Sequence, residues 1–161
     1  MKNKNAQAWG FDLMIGVMIF VGGMAMIYLY TINYPGQEED TIQTLQNEGQ
    51  LFSESILSEG SPTNWNLTNV LRPGILSNGK INQTKLELFD NLTTINYNLT
   101  KSLFRLKNEY YFYFQEPVNI SGTMKQTIGL LNSTSPQNLI KITRVVIYQT
   151  NVTTLKFYLW N

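Results

Sequence analysis

The sequence predicts an α+β protein: a long N-terminal membrane and stalk helix packed on a small antiparallel β-sheet of three to four strands, with short helices between. Three observations predict it. Residues 11–32, FDLMIGVMIFVGGMAMIYLYTI, form an unbroken apolar run. Residues 37–60 carry apolar side chains at helical spacing, and three stretches after residue 108 are rich in β-branched and aromatic residues, as strands are. The 161 residues therefore divide into a cytoplasmic tag with a transmembrane or filament helix (1–34), a stalk helix (35–60) and an extracellular α+β head (61–161).

The apolar run is 22 residues long with one charge, Asp12. As a helix it extends roughly 33 Å, enough for a hydrocarbon core of about 30 Å. Lys2 and Lys4 precede it, while Glu38, Glu39 and Asp40 follow. The bias of basic residues toward the cytoplasm places the N-terminus inside and the C-terminal head outside. Trp9 lies near the inner boundary and Tyr28, Tyr30 and Tyr34 near the outer one, where amphipathic rings favour the interface. A secretory signal has an apolar core of about 7 to 15 residues ending in a small-residue cleavage motif. This run is longer and has no such exit, so a retained helix in the lipid bilayer is expected. Gly16, Gly22, Gly23 and Ala25 permit close helix approach, but no GxxxG is present. Asp12 has two readings from chemistry: it caps the helix start, where the macrodipole favours an anion, or it reaches the headgroups.

The segment Ala6-Gln7-Ala8-Trp9-Gly10-Phe11-Asp12-Leu13-Met14-Ile15-Gly16 resembles the N-terminus of archaeal type IV pilin-like proteins. That family places basic residues and a small residue with Gln before an apolar helix that carries an acid near its fifth position. Asp12 holds that position when the count begins at Ala8; a count from the Gly10-Phe11 junction puts Ile15 there. The resemblance implies processing at Gln7 and Ala8, and an assembly role for Asp12 in neutralising a neighbouring subunit's terminal amine.

Pro35-Gly36 interrupts the apolar run. Beyond it Ile42, Leu45, Gly49, Phe52 and Ile56 fall on one helical stripe, with Glu38, Glu39 and Asp40 in the first turn, where negative charge is favourable. Gly60 and Pro62 end this helix. The stripe needs a partner, and the later strands are the expected one. From 61 to 108 turn signals at Pro62, Pro73-Gly74 and Asn78-Gly79 alternate with short helices over Thr84 to Phe89 and Asn98 to Leu106. Leu86, Phe89, Leu99, Leu103 and Phe104 are expected inward, and Trp65 is expected to be a buried anchor for its loop.

Strands are expected over Glu109–Gln115, Lys141–Gln149 and Thr153–Trp160, with a fourth within Val118–Leu131. The segment 149–152 closes the last two as an antiparallel hairpin. Leu155, Phe157 and Leu159 share one face. On the other, Tyr111, Tyr113, Tyr158 and Trp160 make either an aromatic binding strip or a half-covered sheet surface. The order Gly60-x-Pro62-x-Asn64-Trp65, Gly74-Ile75-Leu76, Lys85-Leu86 and Tyr110-Tyr111-Phe112-Tyr113-Phe114, with a C-terminal hairpin ending in Trp160, is similar to the heads of the same archaeal surface proteins.

Seven N-x-[ST] sequons, at Asn66, Asn82, Asn91, Asn98, Asn119, Asn132 and Asn151, all follow the apolar run. With 18 Asn and 25 Ser or Thr in the chain, chance placement gives about three. Each asks for an exposed asparagine, and N-glycans are the partner they imply. Residues 35–161 carry ten acidic and ten basic side chains, so no basic field points to nucleic acid. Cysteine and histidine are absent, which removes disulfides, the commonest metal ligands and the commonest proton shuttle. No P-loop, GxGxxG, GxSxG, HExxH or EF-hand pattern occurs. No catalytic residue, metal site or cofactor is expected, and the chain is not expected to be an enzyme. The sequence leads to a minor structural pilin-like subunit of an archaeal surface filament or its assembly machinery, joined to itself or related subunits through the N-terminal helix. The alternative is a non-polymerising, membrane-anchored extracellular binding or stator-like envelope protein.

Overall fold

Alternating burial along two neighbouring strands builds the floor on which the rest of the head packs. Tyr110, Phe112 and Phe114 of one strand and Leu155, Phe157 and Leu159 of the next are all fully buried on the same face. The computed structural model describes residues 5–33, 37–131 and 136–161, and side chains over 10–32, 41–131 and 136–161. The elements are α1 (Asn5–Asn33), α2 (Gln37–Ile56), β1 (Leu76–Ser77), β2 (Lys80–Ile81), α3 (Gln83–Ile95), α4 (Tyr97–Phe104), β3 (Glu109–Ile120), β4 (Thr123–Gly129), β5 (Leu139–Tyr148) and β6 (Asn151–Trp160). They fall into two units, residues 1–40 and 41–161.

In the first unit, Gly10–Ile32 is a 23-residue helical segment of mean hydropathy 2.1, long and apolar enough to cross a membrane. Pro35-Gly36 and the side chains of Lys2, Lys4, Trp9, Tyr34, Glu38, Glu39 and Asp40 lie outside the described residues.

The second unit is α+β, as expected, but its sheet is not the expected three to four antiparallel strands. Six strands in the order β1-β2-β5-β6-β3-β4 form a mixed half-barrel. The two additional strands flank Asn78-Gly79, whose φ values of 52° and 74° are those of a type I′ turn. Each is two residues long, too short for alternation to show. β2 joins β5 in parallel at Ile81 and Tyr148, a pairing between distant segments that no local pattern carries. β3 runs past its expected end through Pro117, where the pairing with β4 shifts register between Tyr113 and Val118. A proline without an N–H is tolerated at such an irregularity. Ser121 and Gly122, at φ 51° and 84°, turn β3 into β4. The β5–β6 hairpin closes more tightly than expected, on Gln149-Thr150 alone.

α2 packs on this floor, as its stripe requires. Leu45, Phe52 and Ile56 are buried, but Ile42, expected on the stripe, is 39% exposed. At Gly49 the helix backbone approaches the sheet so closely that a Cβ would lie 2.6 Å from Ile142 Cδ1 and 2.7 Å from Ile140 Cδ1. Three residues on, Phe52 meets the rings of Tyr110, Phe104 and Phe157 at 4.6, 4.8 and 5.6 Å. Burial of such a side chain stabilises by about 1.5–3 kcal/mol. Arg144 reaches from the same sheet face to α2, its Nε and one terminal nitrogen donating to Ser53 Oγ at 3.1 and 3.0 Å.

Both short helices extend differently from expectation. α3 starts after Asn82, whose Oδ1 accepts from Lys85 N, and runs to Ile95; Leu86 and Phe89 are buried, with Phe89 stacked on Phe112 at 5.7 Å. α4 is capped by Asn96 and ends at Arg105, in the left-handed conformation at φ 58°. Leu99, expected inward, is 41% exposed, while Leu103 and Phe104 are half-buried. The loop before β1 is held as expected by Trp65, 2% exposed, whose Nε1 donates to Gly74 O at 2.9 Å. Lys85 is a buried cation whose Nζ donates to the carbonyls of Glu59 and Leu76, tying that loop to β1 and α3.

Two substitutions test this account by denaturant unfolding of the full chain in detergent. Gly49→Val forces bulk between α2 and β5 and is expected to cost about 1–3 kcal/mol. Trp65→Ala empties a buried site and is expected to cost about 3–5 kcal/mol.

Candidate functional site

The apolar helix carries the first candidate site. Every described side chain from residue 10 to 32 is exposed, Asp12 included, so an apolar surface surrounds the helix with one carboxylate near its start. The helix contains Gln7 and Ala8, but their side chains lie outside the described residues. Asn132 lies outside them altogether.

The other six sequons separate by environment. Asn66, Asn91, Asn98, Asn119 and Asn151 are exposed. Asn82 is half-buried, with its amide engaged at both ends: Oδ1 accepts from Lys85 N at 3.1 Å and Nδ2 donates to Ser77 Oγ at 3.3 Å. Its Nδ2, the atom a glycan would need, is therefore already engaged, while its Oδ1 caps α3. The sequon pattern by itself carries no sign of that engagement.

The sheet brings the four expected aromatic residues together on its outer face. The rings of Tyr111 and Tyr158 stack at 4.6 Å and 10°, and Trp160 meets Tyr111 edge-on at 5.5 Å. Trp160 is 6% exposed, whereas Tyr111, Tyr113 and Tyr158 are half-buried. Lys156 Nζ stands 5.8 Å from the centre of the Tyr113 ring, a cation–π contact that strand alternation alone does not reveal. The arrangement is a sheet surface with a part-covered aromatic strip.

Sequence reasoning missed a cleft of roughly 670 Å³ between β4 and the helices, lined in part by Asp90, Thr94, Tyr97, Lys125 and Thr127. Lys125 and Asp90 close an ion pair across it at 2.7 Å. They belong to β4 and α3, which are distant in sequence, so spacing could not have paired them. Next to the cleft, Tyr97 Oη donates to Tyr110 O at 3.1 Å and accepts from Tyr110 N at 2.8 Å; Thr100 Oγ1 and Tyr110 Oη share a hydrogen bond of 2.6 Å. Burial pushes the Tyr110 phenol up to about 12, against an opposing effect of the Thr100 hydrogen bond. Burial also raises the Tyr97 phenol and, with the neighbouring Tyr158, the Tyr111 phenol. Among the described residues no three His, Cys, Asp or Glu side chains gather as metal ligands.

Comparison with known protein families, with curated proteins and with solved structures returns no match for this chain.

Raised phenol values have a definite consequence for alkaline stability. The unfolded chain loses these protons near pH 10, while folded Tyr110 keeps its proton to about 12. Between those values the folded state binds more protons, so stability falls as pH rises, by about 1–3 kcal/mol for this group. Thermal unfolding of the full chain is expected to show a melting temperature that declines from pH 10 to 12, and less steeply in Tyr110→Phe.

Proposed function

We propose that the chain is a minor, structural pilin-like subunit of an archaeal surface filament or of its assembly machinery. The observation that carries this reading is the N-terminal helix: a 23-residue apolar segment, exposed on all sides, with one carboxylate near its start. Such a surface is satisfied by lipid or by the apolar helices of other subunits. Asp12 would be costly in either setting without a cationic partner, and an assembly role supplies one. Lys2 and Lys4 hold the N-terminus in the cytoplasm, so the head faces outward and its sequons meet the glycosylation machinery there. Processing at Gln7-Ala8 frees the amine that Asp12 of a neighbouring subunit neutralises.

A second reading rests on the outer sheet face. The stacked Tyr111 and Tyr158 with Lys156 over Tyr113 suit a binding module that stays anchored and does not polymerise. Sheared surface filaments with N-terminal mass mapping separate the two. A shortened chain in the filament fraction supports the subunit; an intact chain confined to detergent-extracted membranes supports the anchored module.

Asp12→Ala is expected to leave membrane insertion unchanged and to reduce filament incorporation at least about tenfold, since removing one partner of a buried ion pair costs about 3–5 kcal/mol and about 1.4 kcal/mol is already tenfold. Unchanged incorporation would leave Asp12 as a helix cap.

A further inference from the structure

We infer that the fold sorts the sequons: Asn66, Asn91, Asn98, Asn119 and Asn151 are N-glycan attachment sites, and Asn82 is a structural helix cap that stays unmodified. This rests on the reading that the head faces outward. It goes beyond that reading by assigning sites individually.

Attachment is a group transfer at the amide nitrogen. Nδ2 bonds to the anomeric carbon of a lipid-phosphate-activated oligosaccharide, and the carbon–oxygen bond to phosphate breaks. The phosphate leaves with the electron pair, and Nδ2 gives up one of its two protons. The acceptor must therefore present Nδ2 to solvent with space for a bulky saccharide. Asn66 is organised for this. Its Oδ1 accepts from Thr68 N at 2.9 Å, Thr68 Oγ1 at 2.7 Å and Asn69 N at 3.2 Å, so the carbonyl end is fixed while Nδ2 faces away from those bonds. Asn119 repeats the pattern, with Oδ1 accepting from Gly122 N at 2.9 Å. Asn91, Asn98 and Asn151 are exposed on α3, on α4 and at the β5–β6 hairpin.

Asn82 is held differently. Its amide bridges the β1–β2 hairpin, through Ser77 Oγ, to the first turn of α3, through Lys85 N. The backbone on either side is also engaged: Asn82 N donates to Ile75 O and Asn82 O accepts from Leu86 N. A saccharide on Nδ2 would have to part the hairpin from the helix. Its Oδ1 also caps α3, an interaction whose loss costs about 0.5–2 kcal/mol.

Intact glycopeptide mass spectrometry of the full chain, isolated from the cells that produce it, tests the assignment. Glycan mass is expected at the five exposed sites, with occupancy at least about tenfold higher than at Asn82. In the same cells Asn66→Gln is expected to remove one glycan's mass, whereas Asn82→Gln removes none and lowers thermal stability. The chain has no cysteine, so Ser102→Cys, at an exposed position of α4, reports sidedness with a membrane-impermeant maleimide. Labelling from outside with the five sites unmodified would overturn the glycan assignment and leave the outward head standing. Absence of labelling on intact cells, with labelling after lysis, would overturn both. Equal occupancy at Asn82 and the exposed sites would overturn the sorting by the fold.

Discussion

Close contact between the backbone of α2 at Gly49 and the side chains of β5 sets the geometry of the head. Because residue 49 has no Cβ, the helix settles onto Ile140 and Ile142, and one turn later Phe52 reaches Phe157, Tyr110 and Phe104. Phe104 closes α4 and also meets Phe89 of α3. Through Phe52 and Phe104, α2 thus shares one core with β3, β6 and both short helices. A wider spacing would draw Phe52 away from Tyr110, Phe104 and Phe157 and open voids that a close-packed interior does not tolerate.

Polar ties hold the periphery where apolar packing thins. Lys85 satisfies two loop carbonyls, Arg144 fastens β5 to α2 through Ser53, and Tyr97 exchanges two hydrogen bonds with the backbone of Tyr110. Each tie joins segments that apolar patterning leaves loosely specified. Since buried donors and acceptors are costly when unpaired, these contacts supply specificity where a chain without cysteine has no disulfide to do so. Asn82 belongs to the same set, its amide joining Ser77 to the first turn of α3.

For function, the division of labour between the two units is the central point. Over its described side chains the N-terminal helix offers a largely apolar surface with one carboxylate; the head offers a packed core, a cleft with its ion pair and an aromatic strip. The helix is long and apolar enough to cross a membrane.

Much of this was legible from residues alone because it is local. A run of apolar residues specifies a long helix, alternation specifies β6 and the first half of β3 with their inner faces, β-branched content specifies β5 as a strand, and Asn78-Gly79 specifies a turn. Trp65 reads as a loop anchor because so large a side chain between turn signals has few other uses. What remained open depends on which distant segments meet. Strands of two residues have no period to read, and the parallel contact of β2 with β5 joins segments far apart in the chain. The exposure of Ile42 and Leu99 depends on where their helices leave the core. The pairing of Lys125 with Asp90 likewise exists only once helix and sheet are assembled. Local free energies chose the elements, and long-range packing chose their partners.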